Sequence, residues 1–384
     1  MLDRRAAHEA RIRGSLLGLA WGDVLGCPIE FWTRELIAEV FGHYQDLPAE
    51  YPLARIPREP RIFGHLRPLG AHSDDTQQAL ALIHVGKAPH GWRTDRWAEV
   101  LVAGEARGAW RGTGKFFRAS VQRLASGAAL EEAGSPSAGV GAAMRVAPIA
   151  ALLRDDAERL RDVVFESSCV THADVRAAAL AYAVAASCWM LIDGASATDV
   201  QQRLPTLVHD AEASWPRRFP SFRVDYTHLH AVSDTLRALL ATRHEHLEHL
   251  QQAILANASP HLGEAARASA SVNDPFALIG GVHALSVALW PQGSPEDLLG
   301  SLMREGGDTD TVGAIAGAVL GARFGDAWIP VDRMVDGARL SRYAECLVSG
   351  PLPETQDAFL EQEAAYSAAE AAFRRALGID GTAP

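Results

Sequence analysis

The chain has 384 residues, 48% of them hydrophobic and 22% charged, so it is long enough for a large core and too apolar for wholesale disorder. Its 36 lysines and arginines against 47 aspartates and glutamates give a net charge of −11, which argues against a mainly electrostatic nucleic-acid binder. Cys27, Cys169, Cys188 and Cys346 show no CxxC spacing and read as buried thiols of a reducing, cytoplasmic protein, not as a disulfide framework or zinc site. The opening Met1-Leu2-Asp3-Arg4-Arg5 reads as lacking the apolar core of a signal peptide.

Alanine-rich helical periodicity predicts helices near 4–26, 75–86, 95–107, 141–153, 173–192, 227–241, 243–257, 277–290, 295–304, 311–324 and 355–377. Alternating β-branched runs are nearly absent, so the expected class is all-α. The longest apolar stretch, Ala177 to Ile192, would span roughly 24 Å as a helix, short of the ~30 Å hydrocarbon core, and reads as a buried helix. From Gly42 to Leu69 the prolines Pro48, Pro52, Pro57, Pro60 and Pro68 predict a long surface loop, with Arg55, Arg58, Arg61 and Arg67 as its solvated charges. A shorter proline-bearing loop is expected from Trp215 to Phe222, and a frayed end after Leu377.

Two glycine series stand out. Gly14, Gly18, Gly22 and Gly26 fall four apart, as do Gly313, Gly317, Gly321 and Gly325, and each series makes a bare stripe along a helix. Interior glycine costs about 1 kcal/mol relative to alanine, so close approach to a neighbour must offset it. Tight helix packing is the expected reason.

Acidic clusters open two of the helices: His72-Ser73-Asp74-Asp75-Thr76, and Gly306-Gly307-Asp308-Thr309-Asp310-Thr311 ahead of the second glycine stripe. Taken singly, each reads as helix capping, where carboxylates meet free N–H groups and the positive dipole end. Taken together they form a hard, all-oxygen set that suits Mg²⁺ or Mn²⁺ better than zinc. His244, His246 and His249 miss the HExxH spacing and read as a solvated helix face. Gly139-Val140-Gly141 is a poor dinucleotide fingerprint, and no GxSxG elbow is present.

The run from Gly14 to Gly26 followed by Glu30 resembles the opening motif of the ADP-ribosylglycohydrolase family, of the dinitrogenase-reductase-activating glycohydrolase and ADP-ribosylarginine or ADP-ribosylserine hydrolase type. Ser73-Asp74-Asp75-Thr76 and Gly306 to Thr311 look like its two metal motifs, Gly141 to Pro148 its phosphate loop, and Thr171-His172-Ala173 a substrate-contacting segment.

The resemblance implies a compact, orthogonal multi-helix bundle in one domain spanning 1–384, with motifs over 14–325 and a helical extension over 326–384. It implies two Mg²⁺ ions, with Mn²⁺ as a substitute, held by Ser73, Asp74, Asp75, Asp308, Asp310 and Thr311. Glu30, Asp75 and Asp310 would be catalytic, Glu30 gating the cleft. Gly139, Val140, Gly141, Met144 and His172 would contact the substrate, with Val140 where the family usually has asparagine. The implied activity is hydrolysis of the bond between ADP-ribose and a modified acceptor, with protein arginine first. Serine-linked or small-molecule adducts come next, and a non-catalytic structural or immunity-type binder on the same fold is the alternative class. The expected partner is an ADP-ribosylated protein or an ADP-ribose-containing small molecule, with neither nucleic acid nor membrane involved.

Overall fold

The computed structural model describes residues 2–240 and 244–379. Ala241 and Arg243, at the ends of two expected helices, and the tail from 380 onward lie outside these residues. The described residues form eighteen α-helices and no strand. In chain order the first nine are α1 (Leu2–Gly26), α2 (Arg34–Phe41), α3 (Pro60–Phe63), α4 (Asp74–Gly86), α5 (Thr94–Ala106), α6 (Lys115–Ala125), α7 (Ala147–Leu152), α8 (Ala157–Cys169) and α9 (Val175–Ile192). They are followed by α10 (Ala197–Arg218), α11 (Ala231–Leu240), α12 (Leu247–Ala258), α13 (Glu264–Ser269), α14 (Val282–Ala288), α15 (Pro295–Met303), α16 (Thr309–Phe324), α17 (Gly337–Val348) and α18 (Gln356–Ala376).

The glycine stripes explain the centre of the molecule. α1 and α16 lie antiparallel and backbone to backbone, Gly14 facing Gly321 and Gly325, Gly18 facing Gly317, Gly22 facing Gly313 and Gly26 facing Thr309. No side chain fits between them: a Cβ on Gly14 would stand 2.7 Å from the Gly325 carbonyl oxygen. Because the pair runs antiparallel, the C-terminal end of α1 lands beside the N-terminal end of α16. Asp23, Cys27 and Glu30 are thereby carried to Asp308 and Asp310. Helix α9, long and apolar enough to cross a membrane by composition, is 89% buried here and packs against α7, α8, α10 and α16. All four cysteines are free and buried.

Several local readings are corrected. Residues 141–146 form turns rather than helix, and α7 begins only at Ala147, where Pro148 sits in the first turn and needs no donor. The expected loop from Trp215 is helical as far as Arg218, because α10 runs through Pro205 and Pro216. Proline there loses an internal bond, but a Ser196–Asp199 capping box and the buried face of Val200, Leu204, Val208 and Trp215 offset it. Helices α2, α6, α8, α10, α13 and α17 fall outside every expected range. The 42–69 segment is mostly irregular, as expected, apart from the single turn of α3. It is not simply a solvated loop, since Tyr44, Ile56, Phe63, Leu66 and Arg67 are buried.

Candidate metal centre and cleft

The first acidic cluster is fixed from two sides. Ser73 is the N-cap of α4, its Oγ accepting from Asp75 N at 3.2 Å and donating to Asp75 Oδ2 at 2.9 Å. Asp23 on α1 caps the same helix in trans, accepting from Ser73 N at 2.9 and 3.0 Å and from Thr76 N at 3.1 Å. It also takes the Thr76 hydroxyl at 2.6 Å and the Cys27 thiol at 3.2 Å. With the capping already done, Asp74 and Asp75 are left for other work. Asp74 accepts from Gln78 Nε2 at 2.6 Å, and Asp75 Oδ1 is buried with no partner.

The second cluster is held by a zipped turn. Gly306 and Gly307 adopt φ of 70° and 77°, conformations that favour glycine, and Gly307 N donates to Trp32 O at 2.9 Å while Phe31 N donates to Gly307 O at 2.7 Å. Asn273 braces the turn from below through Leu302 O and Gly306 O, at 2.9 and 2.7 Å. Asp308 takes the N-cap position of α16 but makes no side-chain cap bond. Capping alone therefore does not account for either cluster.

Four buried aspartates converge. Burial, then the Asp23 and Glu30 charges, push Asp74 up to about 7, although Arg67 pulls the other way. Burial and the Glu30 charge push Asp308 up to about 7. Asp75 and Asp310 are raised well above the carboxylate range, by burial first and by neighbouring carboxylates second. Such mutual repulsion is what a bound cation relieves. Together with the unpartnered Asp75 Oδ1, it fits an oxygen-ligated divalent ion.

Among the described residues, Asp23, Cys27 and Asp310 offer ligand atoms within 4.8 Å of one another. Asp23 is already saturated by its donors, and burial raises the Cys27 thiol well above its ordinary value, keeping it neutral. The open ligand capacity thus lies with Asp74, Asp75, Asp308 and Asp310.

These groups open into a cleft of about 600 Å³. Its lining includes Glu30, Asp74, Asp75, Gly139, Val140, Gly141, Met144, His172, Asp308, Asp310 and Thr311, so the structure brings together all the residues singled out from sequence except Ser73. Ser73 is fully buried immediately behind them. At Gly141 a Cβ would come 3.0 Å from His172 Nε2, so the missing side chain gives the imidazole room. Burial, reinforced by Arg145, lowers His172 to about 3, leaving it neutral. Phe31, Lys115, Phe116 and Phe276 add an aromatic and basic lining that the sequence patterns did not mark.

Three working residues escaped sequence reasoning. Fully buried Arg145 bonds Gln78 Oε1, Thr171 Oγ1 at 2.6 Å and Ser167 O at 3.0 Å, and so ties the first aspartate cluster to the His172 segment. Arg67, expected in solvent, lies 3.0 Å from Glu30 Oε2 and 3.9 Å from Asp310 Oδ2. Burial alone would raise Glu30, but Arg67 and His65 outweigh it and hold that carboxylate below its ordinary value. Glu363 on α18, in the extension where no motif was recognised, is completely buried. It accepts from Arg339 at 2.6 Å, Gln77 at 2.9 Å and Arg111 at 3.0 Å, and lies 3.2 Å from His72 Nε2, so it backs the first cluster from behind. Arg55, Arg58 and Arg61 are exposed, as expected. His246 and His249 are also exposed, whereas His244 is half-buried against Leu239 O, so the solvated-face reading fits two of the three.

A sequence profile of the ADP-ribosylglycohydrolase family matches residues 4–360, and the chain belongs to that family. YegU, an uncharacterized protein of Escherichia coli K12, is 27% identical over 334 residues, covering 82% of this chain and 88% of its own. An uncharacterized protein of Archaeoglobus fulgidus is 31% identical over 186 residues, 48% of this chain, and the match spans 57% of that protein's length. A solved structure described as an ADP-ribosylglycohydrolase-related protein complex superposes with a TM-score of 0.61 at 20% identity, covering 89% of this chain and 98% of the other. At that identity the likeness establishes the fold.

Proposed function

We propose that this chain hydrolyses the glycosidic bond joining ADP-ribose to a modified acceptor, with two Mg²⁺ ions held by Ser73, Asp74, Asp75, Asp308, Asp310 and Thr311. The observation that carries the reading is the convergence of four buried aspartates, one of them with an unpartnered oxygen, at the floor of a cleft whose wall is the Gly139–Met144 turn. Bound divalent ions supply Lewis acidity and lower the pKa of water at the reacting centre.

The chain's own groups would do the rest. Gly139 and Gly141 expose backbone to the diphosphate, as small residues do at anion sites, and neutral His172 offers Nε2 beside them. Glu30, kept ionised by Arg67, stands where an oxocarbenium-like state needs a negative charge. Asp75 and Asp310, whose pKa values are raised by burial and by neighbouring carboxylates, can hold or release a proton during departure of the acceptor. Arginine-linked ADP-ribose is the first acceptor to test, followed by serine-linked and small-molecule adducts.

Calorimetry of the Mg²⁺-loaded protein with ADP-ribose tests the reading, with metal-stripped protein and Asp310→Ala as controls. Binding that vanishes in both controls is the expected result. No heat in any state would overturn it and would favour a binding protein built on the same fold.

A further inference from the structure

Arg67 closes the proline-rich segment and is 3% exposed. Its carbonyl accepts the Tyr51 hydroxyl at 2.8 Å, which pins the backbone. The guanidinium reaches between two elements distant in sequence. Nη2 lies 3.0 Å from Glu30 Oε2 and 3.9 Å from Asp310 Oδ2, and Nη1 is buried without a partner. A buried donor left unpaired is destabilising, so the guanidinium is not placed merely to complete an internal network.

Its surroundings are cut to admit it. Gly112, at φ 79°, would bring a Cβ within 2.6 Å of Nη2, so any other residue there would press on the guanidinium. On the far side, Glu30 is followed by Phe31 at φ 63°, a strained conformation for an aromatic residue. That backbone is held by Phe31 N to Gly307 O at 2.7 Å, while Arg67 holds the Glu30 side chain.

A fixed positive charge at this place has two effects of opposite sign. It orders Glu30 over the cleft, and it opposes any cation at Asp310. We propose that Arg67 is a positioning residue that sets Glu30 for the ligand while weakening divalent-cation binding at the Asp308–Asp310 end of the centre. The inference rests on the metal-dependent reading of the cleft.

Mn²⁺ titrated calorimetrically into metal-stripped protein, followed by ADP-ribose into the Mn²⁺-loaded form, separates the two effects in wild type, Arg67→Met and Arg67→Lys. Removal of the charge in Arg67→Met should tighten Mn²⁺ by about three- to tenfold, as expected for a lost repulsion at this range in a partly screened site. The same variant should weaken ADP-ribose by roughly tenfold, about the 1.4 kcal/mol of one lost charge-assisted bond. Lysine keeps the charge but not the planar guanidinium that sets Nη2 against Glu30, so Arg67→Lys should hold Mn²⁺ affinity within about twofold and still lose ADP-ribose affinity. A residue of merely structural importance would weaken both ligands together. Mn²⁺ affinity unchanged or reduced in a folded Arg67→Met would overturn the proposal. If that variant does not fold, unchanged ADP-ribose affinity in Arg67→Lys would overturn it. Failure of the wild type to bind Mn²⁺ would instead bring down the metal-dependent reading itself.

Discussion

Gly18 on α1 and Gly317 on α16 meet with no side chain between them, and a Cβ built on either would overlap the other's carbonyl oxygen. The four-residue glycine spacing is thus a packing device whose product is the geometry of the acidic site, because the same contact sets the distance from Asp23 to the α16 start. Gly18→Ala should cost about 3 kcal/mol in denaturant unfolding, at the upper end of overpacking effects. Mn²⁺ affinity should fall with it as the two acidic clusters separate. A change within about 0.5 kcal/mol, ordinary for a surface site, would show that the helices part without consequence.

Glu363 gives a second test. Its removal would leave Arg339 and Arg111 without their shared counterion and His72 Nε2 without its partner. Breaking a buried ion pair from one side costs about 3–5 kcal/mol, so Glu363→Ala should unfold at markedly lower urea concentration. Glu363→Gln, which keeps the shape and some hydrogen bonds, should retain part of that loss. Wild-type midpoints in both would remove α18 from the account of the centre.

The aspartates predict a pH dependence with a definite sign. Asp74 and Asp308 sit near 7 in the metal-free fold, against ordinary values of 3.8. Between those limits the unfolded chain ionises while the fold holds its protons, so these groups withdraw stability as pH rises from about 4 to 7. Cation binding needs the ionised forms. The gap in Tm between Mg²⁺-loaded and metal-stripped protein should therefore widen steadily from pH 5 to pH 8. A gap that stays constant over that range would contradict the shifts.

Asparagine at Asp75 separates function from folding. One anion is lost from a crowded, buried set, so metal-free Asp75→Asn should gain about 1 kcal/mol of stability while losing its Mg²⁺-induced rise in Tm. Alanine at Asp74, Asp75, Asp308 or Asp310 should abolish metal-dependent hydrolysis of ADP-ribose adducts. Hydrolysis at the wild-type rate in any of these would displace that residue from the site.

What the sequence made legible was local and repetitive. A glycine every fourth residue and a carboxylate run at a helix start each carry their physics within a few positions, and both stand where they were expected. Arg67 was hidden because its role depends on Glu30 and Asp310, which adjoin it only after α1 and α16 have paired. Proline rules misjudged α10, where a capping box and an apolar face outweigh Pro205 and Pro216. Helix periodicity extended too far across 141–146, since alanines there serve tight turns as readily as helix. Glu363 lay in a segment that looked like an ordinary amphipathic helix, and its burial is decided by α4 and α17.

The position of Glu363 also sets an order of events during synthesis. A nascent chain that has emerged from the ribosome only as far as residue 350 already carries Asp23, Asp74, Asp75, Asp308 and Asp310, yet Arg111 and Arg339 still lack their shared counterion. The aspartate clusters can pair before that point, but the ground beneath α4 is electrostatically incomplete until α18 docks. Maturation of the centre is therefore tied to the docking of α18, and a chain released before residue 363 would expose its acidic clusters without being able to settle them.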